Sequence, residues 1–252
     1  MDLKAFLTEN RKFAVAFSGG VDSSYLLHAA KTAGCDVKAY FIKSVFQPQF
    51  ELDDAKKMAY MLSVPMTVET IDSLSVPEVA QNPADRCYYC KIAVFTRIHE
   101  LAEADGYSII CDGTNASDDA TERAGMRALS ELGIRSPLRE CGLTKKEVRS
   151  LSREAGLFTH DKPSYACLAT RIPSGTPITI PQLEIAEQAE QALRAFGFTD
   201  FRIRIHGKTA KVQLPEPQFR LLVDRRKKIL EVLNPFFDEI LVDLKPRKTE
   251  AT

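Results

Sequence analysis

The chain has 252 residues, 44% of them hydrophobic and 27% charged, enough to bury one good core or a larger and a smaller one. Lys plus Arg number 34 and Asp plus Glu 34, so the net charge is zero, which disfavours a dedicated nucleic-acid binder and with it a tRNA partner. No apolar run approaches the roughly 18 to 20 residues of a membrane span, and MDLKAFLTENRKFAV lacks a signal pattern, so a cytoplasmic protein without a membrane partner is expected.

Residues 13–17 are a short apolar run suited to a parallel strand buried on both faces. A Gly-containing turn, a helical pattern over 22–33 and a strand over 37–42 follow. Leu52, Ala55, Met58, Ala59 and Leu62 recur at helical spacing and predict an amphipathic helix over 51–62. Strands are predicted over 67–71 and 108–111 with a helix over 88–104 between them, and Thr144-Lys-Lys-Glu147 reads as a capping box opening a helix over 144–155. This alternation argues for an α/β fold with a doubly wound parallel sheet. Between 157 and 181 prolines and glycines replace periodicity, as in a functional loop or an interdomain segment. Beyond it the pattern reads helix (182–196), strand (201–206), strand (210–214), helix (218–233) and strand (239–244). With a short strand at 178–180 this makes a small ferredoxin-like βαββαβ α+β domain. The expected division is 1–172 and 173–252.

Ser18-Gly19-Gly20-Val21-Asp22-Ser23-Ser24 lies between the first strand and the first helix. Backbone N–H groups of such a turn, with the positive end of the helix dipole, form an anion site suited to phosphates. Gly19 and Gly20 allow close approach, and Ser18, Ser23 and Ser24 offer hydroxyls. No Gly-Lys-[Ser/Thr] ends the loop, so it is not a Walker A sequence. An ordinary capped Gly turn is the alternative. Asp112-Gly113-Thr114-Asn115, with Asp118 and Asp119 following, ends a predicted strand, where open α/β sheets bind ligands. It reads as a polar turn or as a wall of a nucleotide site with a carboxylate for Mg²⁺.

The six cysteines do not read as a disulfide framework in a cytosolic chain of this size. Cys87-Tyr-Tyr-Cys90 precedes a helix, and Cys167 lies in the irregular segment. A thiol–disulfide motif, a Cys₃His zinc site with His160 and an isolated pair all use these residue types. Phe201, Ile203 and Ile205 alternate with Arg202, Arg204 and His206, placing the apolar three in the core and the basic three on the opposite face. That face is either solvated or, because arginine forks suit phosphate, a phosphate site. The run RRKK at 225–228 reads as a solvated helix face.

SGGVDS directly after the apolar AVAF resembles the signature of the PP-loop ATP pyrophosphatases. The resemblance implies that the loop holds the β,γ-pyrophosphate of ATP while the substrate is adenylated at the α-phosphorus. SGGVDSS, RCYYCK, DGTNASDD and KPSYACLATRIPSG, with FRIRIH and LPE further on, together look like the LarE family of sulfur transferases over nearly the whole chain. That likeness implies conversion of the carboxylates of a pyridinium dicarboxylate mononucleotide to thiocarboxylates, for nickel-pincer nucleotide cofactor synthesis. It implies ATP and Mg²⁺ at Ser18, Gly19, Gly20, Asp22, Ser23, Ser24 and Gly113, with Asp22 catalytic, and the substrate phosphate at Arg202 and Arg204. One variant of the family sacrifices the sulfur of a loop cysteine; the other holds a [4Fe–4S] cluster on a CxxC pair and a loop cysteine. Cys87, Cys90 and Cys167 resemble the second, with Cys167 also a catalytic candidate, and the CLATR cysteine is offset by one residue from the sacrificial one. Sulfide or another sulfur donor, and a homo-oligomer assembled through a substrate-binding C-terminal domain, are the expected partners. A tRNA thiolase with the same loop and cluster, an ammonia-using synthetase, and a non-catalytic ATP- or metal-binding module are the rivals.

Overall fold

The computed structural model of the chain describes residues 2–118 and 124–247, so Asp119 lies outside the described residues. Two compact units result, Met1–Val79 with Asp85–Lys162, and Ala80–Ala84 with Pro163–Thr252.

The first unit opens with a helix that the periodicity did not suggest, α1 (Leu3–Glu9), whose first turn is capped by the Asp2 carboxylate accepting from the Ala5 amide at 2.7 Å. There follow β1 (Lys12–Ala16), α2 (Val21–Thr32), β2 (Asp36–Lys43), α3 (Gln49–Met61), β3 (Met66–Thr70) and the short α4 (Pro77–Ala80). Next come α5 (Arg86–Ala104), β4 (Ile110–Cys111), α6 (Ala124–Glu131), α7 (Pro137–Glu140) and α8 (Lys145–Glu154). The four strands form one parallel sheet in the order β3-β2-β1-β4. Alternate residues explain why both faces are covered. Phe13 and Val15 of β1, with Val37, Ala39 and Phe41 of β2, pack into one cluster with Leu26, Leu27 and Met58. Ala14, Tyr40 and Ile42 face the other way, toward Phe95, Ile98 and Leu129. This is the doubly wound α/β architecture expected.

The strand order has a functional consequence. From β1 the chain moves outward to β2 and β3, then crosses back to place β4 on β1's other side. The switch point is therefore between β1 and β4, and the loops leaving their carboxyl ends begin at Phe17 and Asp112.

The second unit contains α9 (Ile180–Ala195), β5 (Arg202–His206), β6 (Thr209–Gln213), α10 (Phe219–Leu233) and β7 (Glu239–Val242). Its mixed sheet has the order β5-β6-β7, antiparallel between β5 and β6 and parallel between β6 and β7. The strand expected at 178–180 is replaced by a helix start. The Thr179 amide donates to the Gln182 side chain at 2.9 Å, closing a capping box, and Pro181 sits in the first turn, where a missing N–H costs nothing. The ferredoxin-like arrangement thus loses its first strand, and β7 lies beside β6.

Candidate active site

Gly20 is the N-cap of α2, with φ −80° and ψ 171° and no side chain to cap the helix, so the first-turn amides are left for a ligand. Gly19 stands at φ +70°, and a Cβ there would come within 3.0 Å of Ala55 on α3. The Ser18 and Ser23 hydroxyls meet at 3.1 Å across the loop, and the Gly20 amide donates to Ser18 Oγ at 3.3 Å. Ser18 is exposed at the mouth and Ser23 is buried behind it. Ser24 departs from its expected donor role. Its hydroxyl is fully buried, with no hydrogen-bond partner among the described residues, and its amide closes the first helical hydrogen bond, to Gly20 O at 3.0 Å.

The loop after β4 meets this loop directly. A Cβ on Gly113 would lie 2.7 Å from the Ser23 amide nitrogen, so only glycine lets the β4 loop approach the first turn of α2. Asn115 reaches across, donating from its side-chain amide to Asp22 Oδ1 at 3.3 Å, and Lys145 donates to Asp22 Oδ2 at 2.6 Å. Asp112, a candidate Mg²⁺ ligand, is occupied structurally: it is buried and accepts from the Thr114 amide, the Thr114 hydroxyl and the Ser136 hydroxyl. Asp118 accepts from the Asn115 amide at 3.0 Å. The carboxylate in the first turn of α2 itself is Asp22, which carries Asn115 on one oxygen and Lys145 on the other.

Two lysines at this loop lie outside the motif. Lys145 is the first residue of α8, placed there by the Thr144–Glu147 capping box. Lys162 donates to the Gly19 carbonyl at 3.2 Å and pairs with Asp54 at 2.7 Å. Its backbone is held from α8, where Arg149 forks onto the carbonyls of His160 and Lys162 at 2.7 and 3.0 Å. The capping box was legible in sequence. That it delivers one lysine to Asp22 and an arginine fork to another lysine was not.

The cysteines separate by environment. Burial pushes the Cys35, Cys111 and Cys141 thiols up, which makes them poor thiolates. Cys87 is exposed and Cys90 half-buried, three residues apart at the start of α5, with an Arg86 guanidinium nitrogen 3.8 Å from Cys87 Sγ. Two sulfurs three residues apart at an accessible helix start are spaced as a chelating pair, which fits metal or cluster ligation. Cys167 is half-buried, at the N-cap of a 3₁₀ turn, Leu168–Arg171, in the second unit. Among the described residues no three His, Cys, Asp or Glu side chains stand together as a metal set. The zinc alternative loses its histidine: His160 has the Leu157 carbonyl on Nδ1 and the Asp161 carboxylate on Nε2, both at 2.8 Å.

In the second unit Arg202 and Arg204 do not form a solvated face. Arg202 is 4% exposed, and its guanidinium donates to the carbonyls of Phe201 at 2.7 Å and Ser164 at 2.6 Å. Burial, with Arg171 and Arg247 nearby, pulls its pKa down to about 10; the same causes lower that of Arg204. Arg204 donates to the Thr170 carbonyl and to Gln213. Beneath them, fully buried Arg171 grips Glu190 with two bonds of 2.7 and 2.9 Å and donates to the Ala166 carbonyl at 2.8 Å. Tyr165 donates to the same Glu190 at 2.7 Å, and the guanidinium carbons of Arg171, Arg194 and Arg202 lie 4.5, 4.9 and 5.1 Å from its ring centroid. Arg202 also lies 3.9 Å from the Asp200 carboxylate, which binds Arg247 at 3.0 Å, so two carboxylates stand among these guanidinium groups.

Comparison with known proteins fits this geometry. Residues 11–101, which carry the glycine loop, match the family described as tRNA methyl transferase HUP domain. Over 96% of its length the chain is 33% identical to the pyridinium-3,5-bisthiocarboxylic acid mononucleotide synthase of Lactiplantibacillus plantarum, covering 89% of that protein. The chain belongs to the LarE family. An uncharacterized protein of Synechocystis sp. is 34% identical over 88% of this LarE-family chain and 83% of its own length. The tRNA-5-methyluridine(54) 2-sulfurtransferase of Thermotoga maritima is 28% identical over 46% of the chain and 40% of its own length. LarE membership makes the chain a PP-loop sulfur transferase of an ATP-using class. Among the described residues no helix is long and apolar enough to cross a membrane.

Proposed function

We propose that the chain uses ATP to adenylate a carboxylate of a pyridinium dicarboxylate mononucleotide and then exchanges the activated oxygen for sulfur. The observation that supports this reading is the first turn of α2, without a side-chain cap and with Gly113 packed beside it, at the sheet's switch point. A relative named for that product, matching 96% of the chain, supports the substrate.

The chemistry follows from leaving groups. A carboxylate oxygen cannot leave as oxide. Attack of that oxygen on the α-phosphorus forms one P–O bond, breaks the bond to the β-phosphate oxygen, and releases pyrophosphate with the electron pair. A sulfur nucleophile adding to the acyl carbon then expels AMP, which carries the carboxylate oxygen away. The α2 amides and Ser18 bind the β,γ-phosphates, Asp22 holds the accompanying Mg²⁺, and Asn115 orients Asp22. Arg202 and Arg204 bind the phosphate of the mononucleotide, within a 173–252 domain that serves substrate binding and assembly of a homo-oligomer. Cys87, Cys90 and Cys167 would hold a [4Fe–4S] cluster through three thiolates, with free sulfide as the sulfur donor. When bound, such a cluster offers a replaceable sulfide at the iron without a protein ligand.

The test is product analysis with ATP and the mononucleotide. AMP and pyrophosphate are expected, and Asp22→Ala or Ser23→Ala should reduce them at least about 100-fold, as for loss of a key electrostatic group. ADP and orthophosphate would overturn the reading.

A further inference from the structure

We propose that Lys162 is a further catalytic residue, which contacts the pyrophosphate and stabilises its departure. The proposal rests on the adenylation reading above. Lys162 is the last residue of the first unit, and its ammonium reaches the Gly19 carbonyl at 3.2 Å, in the loop whose neighbouring amides form the anion site. Its side chain is 14% exposed, so it works largely out of water. It is also held from several sides. The Arg149 fork fixes the carbonyls of His160 and Lys162, and the Phe50 ring lies 5.4 Å from the ammonium.

The bland alternative is a tether, with Lys162 serving only to tie Asp54 of α3 to the loop. Asp54 is half-exposed, at 32%, and offers one negative charge. A pyrophosphate seated on the α2 amides, next in the chain to Gly19, would carry several, and a multiply charged ligand would outcompete the single carboxylate for this ammonium. The bond that breaks in adenylation is the one to the β-phosphate oxygen, and its electron pair stays on pyrophosphate. A cation beside the loop therefore meets the charge that develops in the transition state, the placement that accelerates chemistry rather than merely tightening binding. Lys162 donates no proton in this step; it provides charge and a hydrogen bond. Lys145 donates to Asp22 instead, so the two lysines meet different partners on the loop.

Two measurements test this. Binding of inorganic pyrophosphate with Mg²⁺, followed by calorimetry, needs neither the mononucleotide nor sulfur. Lys162→Met should weaken it at least tenfold and Asp54→Asn less than twofold. Steady-state AMP formation adds the kinetic arm: Lys162→Met should lower kcat about 100-fold with KM for ATP changed far less, and Lys162→Arg should recover part of it. Losses of equal size in Asp54→Asn and Lys162→Met, or full activity in Lys162→Met, would reduce Lys162 to a tether. Wild-type protein that binds neither ATP nor pyrophosphate would sink the nucleotide reading together with this proposal. Wild-type binding that Lys162→Met leaves intact would sink this proposal alone.

Discussion

Gly113 shows how one residue can decide a site. A methyl group there would stand 2.7 Å from the Ser23 nitrogen and 3.0 Å from Ser23 Cα, both backbone atoms that cannot swing aside. Gly113→Ala should therefore push the β4 loop off the first turn of α2, cost about 1–3 kcal/mol in chemical denaturation, and weaken ATP binding at least tenfold. Unchanged stability and ATP affinity would show that the two loops do not need this contact. Arg202 is a second such position. Arg202→Ala should weaken the mononucleotide at least about 100-fold while ATP affinity stays within twofold, and Arg202→Lys should recover part, lacking the fork. Equal losses for both ligands would remove Arg202 from the phosphate role. At this scale the glycine loop was legible because its chemistry is local: backbone amides, a helix start and two glycines adjacent in sequence. Ser24 was misread because a step of one residue along α2, about 100° around its axis, turns the hydroxyl from the loop, where Ser23 meets Ser18, into the core. Lys162 and Lys145 were illegible as loop partners, since each meets the loop from more than 120 residues away.

Helices and strands were legible where hydrophobic period and caps agreed, as at α3 and α8. The missed elements had signals too: Asp2 before α1, and Thr179 with Pro181 and Gln182 at α9, where isoleucines at 178 and 180 suggested a strand instead. β5 lies where the alternation put it, at Arg202–His206. Its alternation is real, but the segment bearing Ser164, Tyr165 and Arg171 lies over the basic side, so Arg202 is buried although period two placed it outward. What holds that segment is the Arg171–Glu190 pair between the 3₁₀ turn and α9. Burial alone would raise the Glu190 pKa, yet the Arg171 bonds outweigh it and leave the carboxyl below its ordinary 4.5. A depressed carboxyl stabilises the fold above the ordinary value, and that stability is lost as pH falls through the folded value. Glu190→Gln should therefore destabilise the protein at pH 7 by about 3–5 kcal/mol, as for a broken buried pair, and flatten the stability decline below pH 4.5. An unaltered acid profile would assign that decline to other carboxylates.

At the scale of the whole molecule, the parallel sheet of the first unit puts the glycine loop at a switch point, while the second unit holds a buried arginine cluster and Cys167. The class of the first unit followed from strand–helix alternation, whereas the mixed three-stranded sheet of the second depended on which strands pair, which periodicity does not encode. The cysteine trio makes its own prediction. Anaerobically prepared protein should hold about four iron and four sulfide per chain, and Cys87→Ala, Cys90→Ala or Cys167→Ala should abolish both cluster and turnover while sparing ATP binding. Activity that needs Cys167 alone, with the protein mass falling by one sulfur atom, would favour sacrifice of its own thiol instead. The central claim, that the carboxylate oxygen is carried off on AMP, can be tested by tracing that oxygen. The mononucleotide labelled with oxygen-18 in its carboxylates is incubated with ATP and sulfide, and the nucleotide products are read by mass spectrometry. One labelled oxygen should appear in AMP for each thiocarboxylate formed, and none in pyrophosphate. Label in orthophosphate alongside ADP, or unlabelled AMP, would contradict adenylation of the carboxylate.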